Sequence, residues 1–419
     1  MRTENMIIYS SGTPAIDDTH FEVVERKGIG HPDTLCDTLA EKISQAYSQY
    51  CLKKYGKILR HMVDKIALSG GSSKVMFGGG EMLLPIRLYL NCRFTRTFQG
   101  EDVPYFEIVK EVVYEHLKKV LPLLDLDKWL LIVDNTHSAP GPGVVYESDG
   151  TSKNERQYFF EVPDKELLSH HDNDMRSNDT STAVGYSPAS LTESIVMMVE
   201  NTLNSESFKV QHPYVGTDIK VMARRIMKRL DITVCIPFIS THTPSYSFYS
   251  EKLQVLKEML HALVIKEYPM FEVTISLNTG DRPDRSDYYL TLTGSSIESG
   301  DEGVVGRGNR YNGVIPFNRK MSMEACCGKN PVYHVGKVYT AICSIISKEI
   351  YSELGLESYV FLTSQMGRML SDPWSACVEV ADEEISEKTK GKITAIVERN
   401  LSKTSEVTQM IISGKLNLF

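Results

Sequence analysis

Several common markers of function are missing from this sequence. Its eight cysteines, Cys36, Cys51, Cys92, Cys235, Cys326, Cys327, Cys343 and Cys377, form no CxxC pair, which excludes a zinc ribbon and a thioredoxin-like redox site. Cys326 and Cys327 are adjacent, an arrangement that suits reduced thiols better than a structural bridge. Aliphatic runs such as Trp129–Val133 fall far short of the ~20 residues that span a bilayer. Met1–Asp17 has no apolar core followed by a small-residue cleavage site, so no signal peptide is expected. There is no low-complexity tract and no short-period repeat. Positive charge is in deficit: 46 Lys+Arg stand against 54 Asp+Glu, a formal net charge of -8. That argues against a nonspecific nucleic-acid or membrane-surface binder. The expectation is a soluble cytoplasmic protein that contacts neither nucleic acid nor membrane.

What is present is ordinary globular material. The 419 residues are 42% hydrophobic and 24% charged, enough to build large cores without metal or disulfide staples. At about 100–200 residues per domain the length predicts two to four domain-sized units. Strand-like alternation or apolar runs occupy Lys65–Ser69, Leu83–Asn91, Trp129–Asp134, Asp231–Ile239, Phe271–Asn278 and Tyr288–Gly294. Helical faces recur through Leu35, Leu39, Ile43, Ala46 and Tyr50, and through Val109, Val113, Leu117 and Val120. Further faces run along Leu191–Leu203, Leu253–Leu263 and Val338–Ile350. Glu383–Gly414 lacks proline and reads mostly as helix. Strands in pairs or runs with helices between them indicate an α+β fold. Residues 135–175, with Pro140-Gly141-Pro142-Gly143 and His170-His171, read as an irregular insert and a long surface loop.

Five segments carry candidate chemistry. Glu25-Arg26-Lys27-Gly28-Ile29-Gly30-His31-Pro32-Asp33 places His31 and Asp33 at a helix N-terminus, where free N–H groups attract anions. Asp33 there either caps the helix or holds a hard cation that bridges to phosphate. Phe77-Gly78-Gly79-Gly80-Glu81 reads as a flexible hairpin, with close ligand approach as the alternative. In Asn178-Asp179-Thr180-Ser181, Asp179 either receives an ammonium group or forms an Asx turn; Ser187-Pro188 beyond it marks a helix start. In Gly216-Thr217-Asp218-Ile219-Lys220-Val221, Asp218 and Lys220 would share one face of a strand, as a phosphate-presenting pair or as a surface ion pair.

The fifth segment runs from Gly300-Asp301-Glu302-Gly303 through Arg307, Arg310, Arg319, Lys320 and Gly328-Lys329-Asn330-Pro331 to His334 and Lys337. Between Gly303 and Lys337 these six cations face a single acid, Glu324. Arg offers forked hydrogen bonds and Lys a compact charge, which together suit a polyphosphate. A Gly/Arg loop contacting RNA is the other reading. The segment is not a Walker A loop, because Met323 stands at the first glycine position and Asn330 replaces Ser or Thr. It is not a Rossmann fingerprint either, because Tyr311 falls at the third glycine.

Taken in order, these motifs resemble the archaeal-type S-adenosylmethionine synthetases, or methionine adenosyltransferases. The resemblance implies three similar α+β subdomains around a pseudo-threefold axis, with approximate segments 1–134, 176–295 and 296–419 forming one interleaved unit. It also implies a homodimer with interfacial active sites, ATP and L-methionine as substrates, and Mg²⁺ and K⁺ as cofactors. By position, His31 resembles the donor near the oxygen that leaves the 5′ carbon, and Asp33 the metal ligand. Lys220, Arg307 and Lys329 resemble phosphate-binding catalytic residues. Glu25, Asp179, Asp218 and Asp301 resemble substrate contacts, as do Arg310, His334 and Lys337 more distantly. The acceptor side departs most from the family pattern, at Met62, Val63, Thr182, Tyr333 and residues 135–175. An enzyme acting on another thioether or selenoether, and a non-catalytic nucleotide or RNA binder, are the competing readings.

Overall fold

Three sheets carry the architecture, and each is completed by a strand from another part of the chain. The computed structural model describes residues 5–138, 147–149, 160, 175–381 and 384–419. Pro140–Gly143 and His170–His171 lie outside the described residues. The first stretch contains β1 (Met6–Ser10), β2 (Phe21–Lys27), α1 (Pro32–Tyr55), β3 (Ile66–Ser69), β4 (Ile86–Leu90), α2 (Tyr105–Val120) and β5 (Leu130–Asp134). The second contains β6 (Thr182–Ser187), α3 (Leu191–Asn204), β7 (Lys220–Ile226), β8 (Arg229–Cys235), α4 (Tyr246–Glu267) and β9 (Glu272–Leu277). The third contains β10 (Glu302–Val304), α5 (Val335–Leu354), β11 (Ser358–Thr363), β12 (Ser375–Val380), α6 (Glu387–Leu401) and α7 (Thr404–Ile412).

The three sheets repeat one pattern. An antiparallel pair (β3–β4, β7–β8 or β11–β12) forms the centre. A parallel strand flanks its second member: β5 beside β4, β9 beside β8, β1 beside β12. An antiparallel strand flanks its first member: β10 on β3, β2 on β7, β6 on β11. The parallel joins need crossovers, which α2 and α4 supply for the first two sheets. The third sheet takes its parallel strand from the start of the chain. Each antiparallel flank is exchanged: β2 leads into α1 but pairs in the second sheet, β6 leads into α3 but pairs in the third, and β10 precedes α5 but pairs in the first. The exchange closes a ring of three similar α+β subdomains. Residues 1–134 therefore contribute strands to all three sheets.

Local sequence explains the main helices. His31 caps α1, Pro32 occupies its first turn, and Gly56 ends it at φ 73°. Leu35, Leu39, Ile43 and Tyr47 are fully buried against the first sheet. Ser190 and Glu193 form a reciprocal capping box on α3. One core joins the first and third sheets through α1, α2, α5 and α6; the other belongs to the second sheet with α3 and α4.

Several elements differ from the sequence pattern. The expected strand Leu83–Asn91 is broken at Pro85, which has no N–H to donate. Leu84 ends a hairpin (Ser72–Met76 with Gly79–Leu84) that turns at Phe77-Gly78. Tyr288–Gly294 is strand only at Leu290–Thr291. The segment expected as mostly helix yields two, α6 and α7, because the Lys403 amide bonds the Asn400 carbonyl three residues back in place of one four residues back. Ser187-Pro188 is a cis peptide that ends β6, and the helix begins only after Ser190. No helix among the described residues is long and apolar enough to cross a membrane.

Beneath α1, His61 is completely buried between Tyr47 and Phe94. Its ring bonds the Ser44 hydroxyl at 2.8 Å and the Leu59 carbonyl at 3.0 Å. Burial drives its pKa down to about 3. The unfolded chain therefore takes up this proton first as pH falls below about 6.5, and folding weakens by about 1.4 kcal/mol per pH unit from this group alone. Guanidinium unfolding compared at about pH 7 and about pH 5.5 is expected to show a loss of stability on acidification that is smaller by about 1 kcal/mol in His61→Gln. An identical slope in the variant would show that His61 is not the buried neutral group.

Candidate active site

The N-terminus of α1 gathers the first cluster. The backbone amide of Asp33 donates to His31 Nδ1 at 3.1 Å. Nδ1 is thus an acceptor, and the neutral imidazole carries its proton on Nε2 as a donor. Burial lowers the His31 pKa, against the opposing pull of Asp218. Lys27 Nζ lies 2.8 Å from Asp33 Oδ2 and 2.8 Å from the Arg307 carbonyl. The Arg307 side chain is exposed and has no ion-pair partner among the described residues. Lys220 pairs with Glu25 at 3.1 Å.

Asp218 corrects the expectation of a shared strand face. Strand β7 begins at Lys220, and Asp218 precedes it, 2% exposed. Its Oδ2 accepts from the Ser296 hydroxyl at 2.7 Å, the Ser296 amide at 3.0 Å and Tyr289 at 3.1 Å. Lys220 points instead to Glu25. Asp301 is exposed and shares the Ser296 hydroxyl at 2.7 Å.

A stripe of acids on α1 holds the cationic segment in place. Asp33, Asp37 and Glu41 are spaced four apart and so lie on one helix face. Asp33 Oδ1 accepts from the Val304 amide at 2.9 Å. Asp37 accepts from the Gly306 and Gly308 amides at 2.7 and 3.2 Å. Glu41 Oε2 accepts from the Gly328 amide at 3.1 Å and pairs with Lys337 Nζ at 2.6 Å. Burial pushes the Asp37 carboxyl up to about 7, opposed by these amides and by Arg310. Gly308 is required for close approach: a Cβ there would lie 2.3 Å from Asp37 Oδ2. Arg310 turns inward to the Gly306 and Gly308 carbonyls. Lys337 is wholly buried.

A second cluster lies at the N-terminus of α5. Lys329 pairs with Glu324, and burial lowers its pKa to about 8 while Asp64 and Asp179 oppose the fall. Asp64 pairs with Lys65 at 2.6 Å. Asp179 is exposed and accepts from the Thr180 amide at 2.7 Å. His334 caps α5 by accepting from the Gly336 amide at 3.2 Å, and burial holds its pKa well below the usual range. The Val63 amide donates to the Gly328 carbonyl at 2.8 Å and joins the two segments here. The Lys329 carbonyl meets Ser44 at 3.2 Å. Ser44 lies eleven residues along α1 from Asp33, so the clusters are separated by roughly 16 Å of helix.

The equivalent junction at α3 is filled. Arg319, with no side-chain exposure, bonds Glu357 at 2.7 Å and Glu193 at 3.3 Å, and its guanidinium stacks over Tyr186. Arg319 thus leaves the set of free cations that the sequence suggested. Lys320 likewise pairs with Glu379. Sequence reasoning missed Lys27, Asp37, Asp64, Tyr289 and Ser296 as parts of these clusters. The spacing Asp33, Asp37, Glu41 was a signal for the stripe; Tyr289 and Ser296 carry none, since their partner is distant in sequence. Among the described residues no group of three or more His, Cys, Asp or Glu could hold a metal on its own.

A sequence profile of S-adenosylmethionine synthetase (AdoMet synthetase) matches residues 4–142 and 163–415. A probable S-adenosylmethionine synthase from Aquifex aeolicus is 36% identical over 416 residues, with 98% of each chain covered. S-adenosylmethionine synthases from Hyperthermus butylicus and Pyrococcus furiosus are also 36% identical, with 99% of each chain covered. In fold, the chain is similar to an unusual S-adenosylmethionine synthetase from Campylobacter jejuni, with TM-score 0.60 at 12% identity, covering 96% of this chain and 94% of that one.

The Glu41–Lys337 pair generates a stability prediction. Glu41→Ala leaves a buried, uncompensated ammonium, and unfolding free energy is expected to drop by about 3–5 kcal/mol. Glu41→Leu combined with Lys337→Met removes both charges and recovers most of the loss. Chemical denaturation of the three proteins checks this; equal losses in the single and double variants would contradict the ion-pair account.

Proposed function

The chain belongs to the S-adenosylmethionine synthetase family, and from that premise we propose how its residues carry out methionine adenosyl transfer. The enzyme is a methionine adenosyltransferase: ATP, L-methionine and water yield S-adenosylmethionine, phosphate and diphosphate. The observation that carries the residue assignment is the meeting of His31, Asp33 and the Arg307 segment at one helix N-terminus, joined through Lys27.

A thioether sulfur is nucleophilic without a base, so the reaction asks for alignment and for stabilisation of a leaving triphosphate. His31 meets the second need: its neutral ring, fixed by the Asp33 amide, donates from Nε2 to the oxygen that leaves the 5′ carbon. Arg307, exposed and without an ion-pair partner among the described residues, binds the phosphates, as does Lys329. Lys329 exchanges its Glu324 carboxylate for phosphate. Asp218 and Asp301 hold the nucleoside side of ATP, with Lys220 and Glu25 at its edge. Asp179 receives the methionine ammonium. Arg310, His334 and Lys337 act by positioning, because their polar groups are turned to the loop backbone, the α5 amides and Glu41.

Mg²⁺ is the divalent cation of this reading. Asp33 fits it as a single protein carboxylate, since Mg²⁺ is bound by one or two carboxylates together with substrate phosphates and water. When bound, the ion supplies charge neutralisation to the triphosphate. K⁺ completes the cofactor set.

The active form is read as a homodimer with interfacial sites. The His31 and Lys329 clusters stand too far apart in one chain to grip one triphosphate together, and a second copy supplies the missing half. Among the described residues each sheet also exposes apolar side chains: Leu131 and Val304 on the first, Phe21 and Ile226 on the second, Ile7 and Tyr9 on the third. The reading is cytoplasmic, supported by eight cysteines that are all free.

Product analysis of ATP with methionine and Mg²⁺ tests the function, and folded protein that forms neither S-adenosylmethionine nor diphosphate would overturn it. His31→Ala and Lys329→Ala are each expected to lower turnover by about 10²–10³-fold while the unfolding midpoint stays close to the parent's. Unchanged turnover in both would show that these residues lie outside the site. Excess EDTA is expected to abolish product formation, with recovery on added Mg²⁺; persistence in EDTA would remove Asp33 as a metal ligand.

A further inference from the structure

Ser296 sits where two loops from different subdomains meet. The Gly294 carbonyl accepts from the Thr217 and Asp218 amides, both at 3.0 Å, and so ties the segment before β7 to the segment before β10. Beyond Ser296, the short turn Ser296–Ser299 ends at Gly300, whose φ of 91° reverses the chain. That reversal returns Asp301 to Ser296: its amide reaches back to the Ser296 carbonyl at 3.4 Å, and Asp301 Oδ2 lies 2.7 Å from the Ser296 hydroxyl. The same hydroxyl lies 2.7 Å from Asp218 Oδ2.

The hydroxyl takes no part in capping the turn. Ser295, not Ser296, caps the turn by accepting from the Ile297 amide. A hydroxyl has a single proton, which it donates to one carboxylate at a time, so the Ser296 oxygen, 2.7 Å from each, links the two by alternating between them. Asp218 is anchored on the buried side by Tyr289 and the Ser296 amide, whereas Asp301 is exposed. Among the described residues its Oδ1 is bonded only to the adjacent Glu302 amide, at 2.8 Å. Among them, the Ser296 hydroxyl is the group that ties the Asp301 carboxylate to Asp218.

We propose that Ser296 is a positioning residue for ATP, which locks the exposed Asp301 carboxylate to the buried Asp218 so that both face the nucleoside in one arrangement. The inference rests on the assignment of Asp218 and Asp301 to the nucleotide.

Two measurements test it: steady-state kinetics with ATP and methionine, and titration with Mg²⁺-ATP alone. Ser296→Ala is expected to raise the KM for ATP about tenfold, with kcat within about threefold of the parent, and to weaken Mg²⁺-ATP binding by a similar factor. Ser296→Thr, which keeps the hydroxyl, is expected to restore the KM for ATP to within about twofold of the parent. In an Asp301→Asn background, Ser296→Ala should add little further loss, since both changes break one link. An unchanged KM for ATP and unchanged ATP affinity in Ser296→Ala overturn the inference, as does full additivity with Asp301→Asn. A fall in kcat alone that Ser296→Thr leaves uncorrected overturns it as well. If the parent protein forms no product, the functional reading fails on its own, and the Mg²⁺-ATP titration still decides the role of Ser296.

Discussion

The buried acidic stripe of α1 is the contact on which the rest of the site depends. Between β10 and α5 the chain runs for thirty residues with almost no regular structure. Loops of that length are uncommon inside a packed domain and need anchors. Asp33, Asp37 and Glu41 supply them at one turn after another, each accepting a backbone amide of the loop. Buried carboxylates are costly unless they are fully bonded. The loop therefore satisfies the helix as much as the helix holds the loop. Arg307 at one end and the Lys329–Glu324 pair at the other inherit their positions from this zipper of amides.

Strand exchange explains why the site is shared between subdomains. Because β2 pairs in the second sheet before entering α1, the α1 N-terminus is delivered beside the start of β7, where Asp218 and Lys220 lie. Because β10 pairs in the first sheet, the path to α5 passes the start of β3, where Asp64 and Lys65 lie. The third junction follows the same rule and sets the α3 N-terminus beside Glu357, at the start of β11. There Arg319 fills the space with a closed ion pair. One pseudo-symmetric architecture thus repeats the same junction three times, and in the third Arg319 is neutralised internally by Glu193 and Glu357.

The helical faces were legible because their burial is one-sided enough to leave a period, as along Val109, Val113 and Leu117. The Gly-Ile-Gly-His-Pro-Asp signal correctly marked the start of α1. Strands of the third sheet were harder to see. β11 is buried at Ser358, Tyr359 and Val360 in succession, so it shows no alternation. The pairing of Asp218 with Lys220 followed from strand geometry, yet the strand begins only at Lys220, and the Asp218 carboxylate turns to Tyr289 and Ser296 instead.

By itself the sequence determined the α+β class, the family resemblance, and the concentration of cations between Gly303 and Lys337 in an acidic chain. These are properties of residue type and local spacing, and they need no knowledge of distant neighbours. Only the tertiary structure decided which of those cations remain available. Arg319 and Lys337 are consumed by buried carboxylates more than thirty residues away, Arg310 by its own loop carbonyls, and Arg307 by no carboxylate among the described residues. Charge in a sequence is a count, whereas charge at a site is what remains after the fold has paired it.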